Sequence, residues 1–258
     1  IDIGCGFGTS ILGLAHELIG KGKIAVGSVN LCSGDTSFFG FDLNASAIQF
    51  ASATAGRLDL PKRDVNFVVA KAEDALRWAM TQAETSPLSI LMQFPTPFKV
   101  DQSGNSQLPS DDSDFMVNKT IVELAVQAMR RRRGGFLYIQ SNVEDVAQCM
   151  RVRVEEASHG ELHALTPVQL VRGCNTDNRE FQLPASASPH TADANANPNL
   201  RQQRVADLQQ LPAVAVVSTR GSWLTHSPLP VRARTETEAM YQQNAKPVYR
   251  TFFVQASD

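Results

Sequence analysis

The apolar positions of the chain fall into short continuous runs that alternate with amphipathic stretches. Short continuous runs are typical of buried strands, and apolar residues every three or four positions are typical of helices that cover a sheet. The runs predict strands at 1–3, 38–44, 65–70, 88–94, 136–141, 213–218 and 248–255. The spaced patterns predict helices at 10–20, 45–55, 73–83, 114–132 and 143–157. This alternation predicts an α/β domain with a mostly parallel sheet and helices on both faces.

Three polar stretches interrupt the alternation, at about 21–37, 99–113 and 175–204. We expect each of them to be an insertion into one domain that spans 1–258, because strand patterns continue after the last stretch. Residues 175–204 consist mostly of Ala, Ser, Pro and Asn, so we expect that insertion to be disordered. The first residue is Ile1 instead of Met, which predicts an N-terminally truncated chain.

Composition and charge exclude several classes of protein. The 258 residues carry a net charge of −2, so a nucleic-acid partner would need a local basic patch. No apolar run is long enough for a transmembrane helix, and we expect no membrane partner. The four cysteines are far apart, without the spacing of a metal site, so we expect no metal and a reducing compartment. The protein is therefore expected inside the cell, in the cytoplasm or nucleus, with an organelle left open.

A glycine-rich turn follows the first predicted strand, where Asp2 precedes Gly4, Gly6 and Gly8. Glycines allow the backbone to turn sharply and a ligand to approach the main chain. The pattern resembles the motif of class I S-adenosylmethionine (SAM) methyltransferases. Asp2 would either order the turn or meet the cationic amino group of SAM.

Acidic side chains at the next two strand ends complete a predicted cofactor site. Asp42 ends the second strand, where a carboxylate can accept hydrogen bonds from two ribose hydroxyls. The 34 positions from Gly8 to Asp42 exceed the usual separation, and the insertion at 21–37 accounts for the excess. After the third strand, either Glu73 or Asp74 would accept from the adenine amino group.

Three further segments resemble the TrmB-type tRNA (guanine-N7)-methyltransferases. Gln93-Phe-Pro-Thr-Pro-Phe-Lys99 is similar to the FPDPxxK element of that family. Residues 134–150 (GGFLYIQSNVEDVAQCM) are similar to its GG…(T/S)D element, and 234–250 are similar to its TExE…Y-R signature. With the glycine turn, these segments span nearly the whole chain in the family's order.

The resemblance implies a seven-stranded sheet with one antiparallel strand, SAM as cofactor, and methylation of N7 of a guanosine in tRNA. Thr96 stands where the family has its catalytic Asp, and Asn142 where it has a fifth-strand Asp. The catalytic residues implied are Thr96, Glu236 and Glu238. The substrate-binding residues implied are Asn142, Arg234, Thr235 and Glu238. Gln93, at the end of the fourth strand, joins the cofactor-binding residues Asp2, Gly4, Gly6, Gly8, Asp42, Glu73 and Asp74.

The chain departs from the family where charge matters. Thr96 and Asn142 replace carboxylates, and residues 99–114 carry one Lys and four Asp where the family has a basic run. Two alternatives therefore stand beside the tRNA methyltransferase: a SAM-dependent methyltransferase for another RNA or small molecule, and a weakened SAM- or RNA-binding scaffold. An accessory protein subunit is a further candidate partner, since it could replace the missing basic contacts.

Overall fold

The structure, a computed structural model, describes residues 1–26, 29–33, 36–82, 86–95, 99–100, 106–107, 115–132, 134–165, 223–224, 227–244 and 246–255. Thr96, the predicted insertion at 175–204 and the predicted strand at 213–218 lie outside these residues. The strands are β1 (Asp2–Ile3), β2 (Lys23–Val26), β3 (Val29–Ser33), β4 (Phe38–Asp42), β5 (Val65–Val69), β6 (Ile90–Gln93), β7 (Lys99–Val100), β8 (Ser106–Gln107), β9 (Phe136–Ser141), β10 (Leu162–Ala164) and β11 (Tyr249–Gln255). The helices are α1 (Thr9–Lys21), α2 (Ala45–Arg57), α3 (Ala72–Thr81), α4 (Lys119–Arg130), α5 (Glu144–Ser158) and α6 (Glu236–Gln243), with a short 3₁₀ helix at Val231–Ala233.

Seven strands form one twisted layer in the order β10-β11-β9-β6-β1-β4-β5. The pairs β1–β4, β1–β6, β4–β5 and β6–β9 are parallel. Strand β11 runs antiparallel to both β9 and β10. The strand order reverses at β1, because β4 and β5 extend the sheet to one side of it while β6 and β9 extend it to the other. Parallel sheets bind ligands beyond the carboxyl ends of the strands at such a switch point.

Two apolar clusters cover the two faces of this sheet, because neighbouring residues of a strand point to opposite faces. Leu91 and Tyr138 pack with α1 on one face, and Met92 and Ile139 pack with α3, α4 and α5 on the other. The predicted fold class, a seven-stranded mostly parallel sheet with helices on both faces, is confirmed. None of the described helices is long and apolar enough to cross a membrane.

The polar stretch at 21–37 differs from its prediction as a loop insertion. Helix α1 extends to Lys21, and β2 pairs with β3 as an antiparallel hairpin. Ile24, Leu31 and Cys32 are buried in the cluster that includes α1. These apolar side chains stabilise a hairpin in a segment whose Gly and Ser content favours loops.

Candidate cofactor and substrate site

The glycine turn between β1 and α1 has the left-handed backbone that its sequence predicts. Gly4, Gly6 and Gly8 have φ values of 72°, 52° and 75°. A Cβ atom on Gly8 would stand 2.5 Å from Phe67 Cε1, whereas a Cβ on Gly6 would meet nothing within 4 Å. Gly8 is therefore required by packing and conformation together. Gly6 leaves the backbone open on one side, where a ligand can approach it.

Asp42 fixes this turn from the end of β4. Its Oδ2 accepts a hydrogen bond of 2.8 Å from the Gly6 N–H, and its Oδ1 accepts one of 2.8 Å from the Asn44 N–H. The Asn44 side chain in turn caps α2, accepting from the N–H groups of Ser46 and Ala47. Asp42 and the glycine turn are thus adjacent in space, as predicted, although the β2–β3 hairpin separates them in sequence. A carboxylate has about four lone-pair sites, so Asp42 retains acceptor capacity for a ligand.

Asp2 lies beneath the turn and is only 2% exposed. Its Oδ2 lies 3.5 Å from Gln93 Nε2, and its Oδ1 is buried without a hydrogen-bond partner. Burial raises the pKa of Asp2 to about 7, because a buried carboxylate loses its hydration. A cationic group placed against Oδ1 would lower the free energy of the ionised form.

The acidic pair after β5 lies on the first turn of α3. Glu73 is half-buried and Asp74 is exposed. The Ala70 N–H donates to the Asp42 carbonyl oxygen at 3.1 Å, so the end of β5 lies beside the end of β4. Both side chains are thus on the predicted side of the sheet, and the choice between them for adenine stays open.

A chain of buried polar side chains crosses the sheet from β6 to β11. Gln140 Nε2 donates to Gln93 Oε1 at 2.7 Å and to Glu238 Oε2 at 3.3 Å. Glu238 is 0% exposed, and its Oε1 accepts from Arg250 Nη2 at 3.0 Å. The buried ion pair of Glu238 and Arg250 is therefore joined, through the amides of Gln140 and Gln93, to the side of the sheet where the cofactor is expected.

The C-terminal segment reaches the glycine turn by packing on α1. A Cβ atom on Gly13 would stand 2.0 Å from the carbonyl oxygen of Arg232, so the 3₁₀ helix touches the α1 backbone. The Thr9 hydroxyl donates to Glu236 Oε1, which joins the first turns of α1 and α6. The exposed carboxylate of Glu236 therefore lies next to the predicted cofactor turn.

The other predicted substrate residues surround α6. The Thr235 hydroxyl caps this helix by accepting from the Glu238 N–H at 3.1 Å. Arg234 Nη1 donates to Gln242 Oε1 at 2.9 Å, and Asn142 Nδ2 donates to the Tyr241 hydroxyl at 2.6 Å. Their substrate contacts stay predictions, as does that of Glu238, whose carboxylate is held inside the protein.

Sequence reasoning missed the polar partners that hold the site together. The largest omissions are Gln140, which is buried, and Thr9, which bonds Glu236. Arg250 belongs to the Y-R signature, but its buried ion pair with Glu238 was not predicted. A signal was present for Gln140, which is a polar residue within an otherwise apolar strand pattern. Nothing in the sequence marked Thr9, because its partner lies 227 positions away.

No protein-family model matches the chain, and no curated protein matches it. Solved structures are similar to it. The putative rRNA-methylase of Clostridium thermocellum is 17% identical with a TM-score of 0.41, over 64% of this chain and 76% of that one. The precorrin-6y C5,15-methyltransferase of Geobacter metallireducens GS-15 is 16% identical with a TM-score of 0.38, over 64% of this chain and 63% of that one. The cyclase SpnF is 10% identical with a TM-score of 0.40, over 100% of this chain and 75% of that one.

The chain has the Rossmann-like class I methyltransferase fold. Its strand order, the antiparallel β11 and the glycine turn after β1 are the features of that fold. A fold shared by enzymes of different chemistry does not specify the substrate, which must be inferred from the residues at the site.

Proposed function

We propose that this protein transfers a methyl group from SAM to N7 of a guanosine in tRNA. The observation that carries the proposal is the contact between Thr9 and Glu236. It brings the C-terminal segment, which resembles the tRNA methyltransferase signature, against the turn that resembles the SAM motif. A methyl-transfer site needs these two surfaces side by side.

The residues of the turn fit SAM in charge and in space. Asp42 would accept hydrogen bonds from the ribose hydroxyls with its remaining lone pairs. The unpartnered Oδ1 of Asp2 would face the positive charge of the methionine amino group. The open backbone at Gly6 would let the methionine portion pass close to the main chain. When bound, SAM supplies an electrophilic methyl group on a sulfonium.

Methylation of guanine N7 demands alignment more than proton transfer. N7 carries a lone pair and no proton, so the reaction needs no general base. Correct placement of two reactants contributes about 7–11 kcal/mol to lowering a barrier. The methylated ring becomes cationic, and Glu236 is an exposed carboxylate that accepts from the hydroxyl of Thr9, next to the glycine turn. Glu236 would therefore stabilise the positive charge of the methylated ring, which the neutral side chain of Thr96 cannot do.

The substrate side would be formed by α6 and the end of β9. Arg234 is a cation for a tRNA phosphate, and Thr235 and Asn142 are hydrogen-bonding groups for the base. Glu238 is fully buried and paired with Arg250, so it would act on the base through the residues of α6 around it. The acidic residues at 99–114 oppose phosphate binding there, so an accessory protein subunit is part of the proposal as a source of basic contacts. The tRNA substrate places the protein inside the cell.

One observation favours a second function, methylation of another RNA or of a small molecule. Thr96 and Asn142 replace two carboxylates, and the run at 99–114 is acidic, in segments that the family resemblance assigns to the substrate. The cofactor turn keeps its glycines and Asp42. A SAM enzyme with an altered substrate would show this combination, and so would a scaffold that binds SAM without turnover.

Single-turnover methylation of tRNA separates these functions. Thr96→Asp should raise the rate at guanosine N7 about tenfold or more, because loss of one group that stabilises developing charge costs roughly 10²–10³ in rate. Glu236→Gln should lower the rate by a similar factor, and Glu238→Gln should lower it as well. The matched control is Glu156→Gln, which removes one negative charge from an exposed position on α5. Unchanged rates in all three site variants would remove Thr96, Glu236 and Glu238 from the reaction.

A further inference from the structure

A chain of buried hydrogen bonds through Gln93 and Gln140 lies between the glycine turn and α6, and methyl transfer itself does not need it. Gln93 and Gln140 are 5% and 0% exposed, and they lie on adjacent parallel strands. Burying two amides side by side is costly unless their hydrogen bonds are satisfied. Their partners at the two ends are carboxylates, Asp2 on the cofactor side and Glu238 on α6.

The partners fix the orientation of each amide. Glu238 is paired with Arg250, and an ionised carboxylate only accepts hydrogen bonds, so Gln140 must present its NH₂ group to it. Burial raises the pKa of Tyr138, and its hydroxyl donates to Gln140 Oε1 at 2.8 Å. Gln140 is thereby held with its oxygen toward Tyr138 and its nitrogen toward Glu238.

The orientation of Gln140 determines that of Gln93. The NH₂ group of Gln140 also donates to Gln93 Oε1 at 2.7 Å, so the oxygen of Gln93 faces β9. The NH₂ group of Gln93 is then left to donate to Ser10 Oγ at 2.9 Å and toward Asp2 Oδ2 at 3.5 Å. Asp2 consequently faces a donor, which favours its ionised form.

We propose that Gln140 is a positioning residue that couples Glu238, on the buried face of the substrate-side helix α6, to Asp2 on the cofactor side. The coupling rests on the proposed function in assigning SAM to the glycine turn and the substrate to α6. Glu238 shares the first turn of α6 with Thr235 and Glu236, so a substrate bound there acts on the same hydrogen-bond chain. By linkage, cofactor and substrate then change each other's affinity by the same factor.

The test is a double-mutant cycle read by the affinity for SAM, measured by calorimetry without tRNA. Glu238→Gln should weaken SAM binding about three- to tenfold, the effect of losing one hydrogen bond, because a neutral amide no longer fixes the orientation of Gln140. Gln140→Met should weaken it similarly. In the Gln140→Met background, Glu238→Gln should have no further effect. Gln148→Met, the same change at an exposed position on α5, is the control and should bind SAM like the wild type.

Additive losses in the cycle would overturn the coupling, since damage to packing acts independently of the amide chain. A spectroscopic measurement reads the same hydrogen-bond chain without SAM. The side-chain NH₂ resonances of Gln93 should shift between the wild type and Glu238→Gln. They should be the same in Gln140→Met and in the double variant that adds Glu238→Gln. Unmoved Gln93 resonances in Glu238→Gln would also overturn it. A wild type that binds SAM and shows the cycle but does not methylate tRNA would contradict the proposed function alone.

Discussion

At the scale of single residues, two carboxylates of the site have opposite surroundings. Asp42 is half-buried and satisfied by two backbone N–H groups, whereas Asp2 is buried with one oxygen unpaired. A satisfied carboxylate organises the backbone around it. An unsatisfied buried one is stabilised by a cation. Asp42 should therefore maintain the turn in the absence of ligand, and Asp2 should respond to the charge of the ligand.

Asp42→Ala removes the acceptor that holds the Gly6 and Asn44 N–H groups. We expect a loss of about 1–3 kcal/mol in the free energy of unfolding, since two hydrogen bonds to an ionised carboxylate are lost, one of them part-buried and the other exposed. We also expect SAM affinity to fall at least tenfold, which calorimetry would measure. Asp42→Asn keeps one acceptor oxygen, so its free energy of unfolding and its SAM affinity should both fall less than in Asp42→Ala. Wild-type affinity in Asp42→Ala would show that the cofactor does not use this strand end.

Asp2→Asn tests the buried carboxyl through pH. Because the folded-state pKa is raised to about 7, ionisation opposes folding, and the wild type should lose stability as the pH rises from about 4 through 7. The Asn variant should lack this loss. The amount by which its free energy of unfolding exceeds that of the wild type should therefore be up to about 4 kcal/mol larger at pH 8 than at pH 4. Denaturant melts across this range measure the difference. Parallel pH profiles for the two proteins would contradict the burial of Asp2.

At the scale of elements, the site depends on how closely the C-terminal segment approaches α1. The approach is possible because Gly13 has no side chain where the Arg232 carbonyl oxygen lies. Arg232 Nε also lies 3.8 Å from Glu17 Oε1 on α1, but the Arg232 side chain is largely exposed and the pair contributes little. Backbone contact at Gly13 therefore determines where Glu236 stands.

Gly13→Ala should move the segment 231–244 away from α1, because its Cβ atom would overlap the Arg232 backbone. We expect a loss of about 1–3 kcal/mol in stability and a methylation rate that falls as in Glu236→Gln. Gly56→Ala is the matched control, since a Cβ atom there meets nothing within 4 Å, and it should stabilise α2 by up to about 1 kcal/mol. A Gly13→Ala protein as stable and active as the wild type would contradict this role.

The elements that sequence predicted well are those with strong apolar periodicity. Helix α4 has seven buried apolar residues and lies within its predicted range, and β9 coincides with its prediction. Helix α6 was missed because the residue that it buries is the charged Glu238. Strand β10 was missed because three residues show no periodicity. Both depend on tertiary partners that local sequence does not contain.

At the scale of the whole molecule, the antiparallel strand was predicted from the family resemblance, and the order of the strands was not predicted. Alternating strands and helices indicate a parallel sheet, but they do not say that β11 inserts between β9 and β10. The same limit applied to the site. The glycine turn and Asp42 were found from local motifs, whereas the buried chain through Gln140 and Arg250 exists only after β6, β9, β11 and α6 have assembled.

We predict that residues 175–204 do not contribute to the stability of the domain. Few large apolar side chains are present there to offset the entropy of ordering them. Replacement of these residues by a short Gly/Ser loop should therefore leave the melting temperature within a few degrees, as measured by circular dichroism. A drop of ten degrees or more would mean that the stretch contributes to the domain core.

Nucleoside analysis of tRNA after reaction tests the proposed function most directly. Purified protein is incubated with unmodified tRNA and SAM labelled in its methyl group, and the digested nucleosides are identified by mass spectrometry, with Glu236→Gln alongside. We predict label in 7-methylguanosine, at one guanosine per tRNA, and a strong reduction in the variant. The reaction is repeated with a cell extract to supply an accessory subunit, using tRNA and extract from cells that lack this protein. Label in a different nucleoside, or none in 7-methylguanosine under either condition, would contradict the assignment.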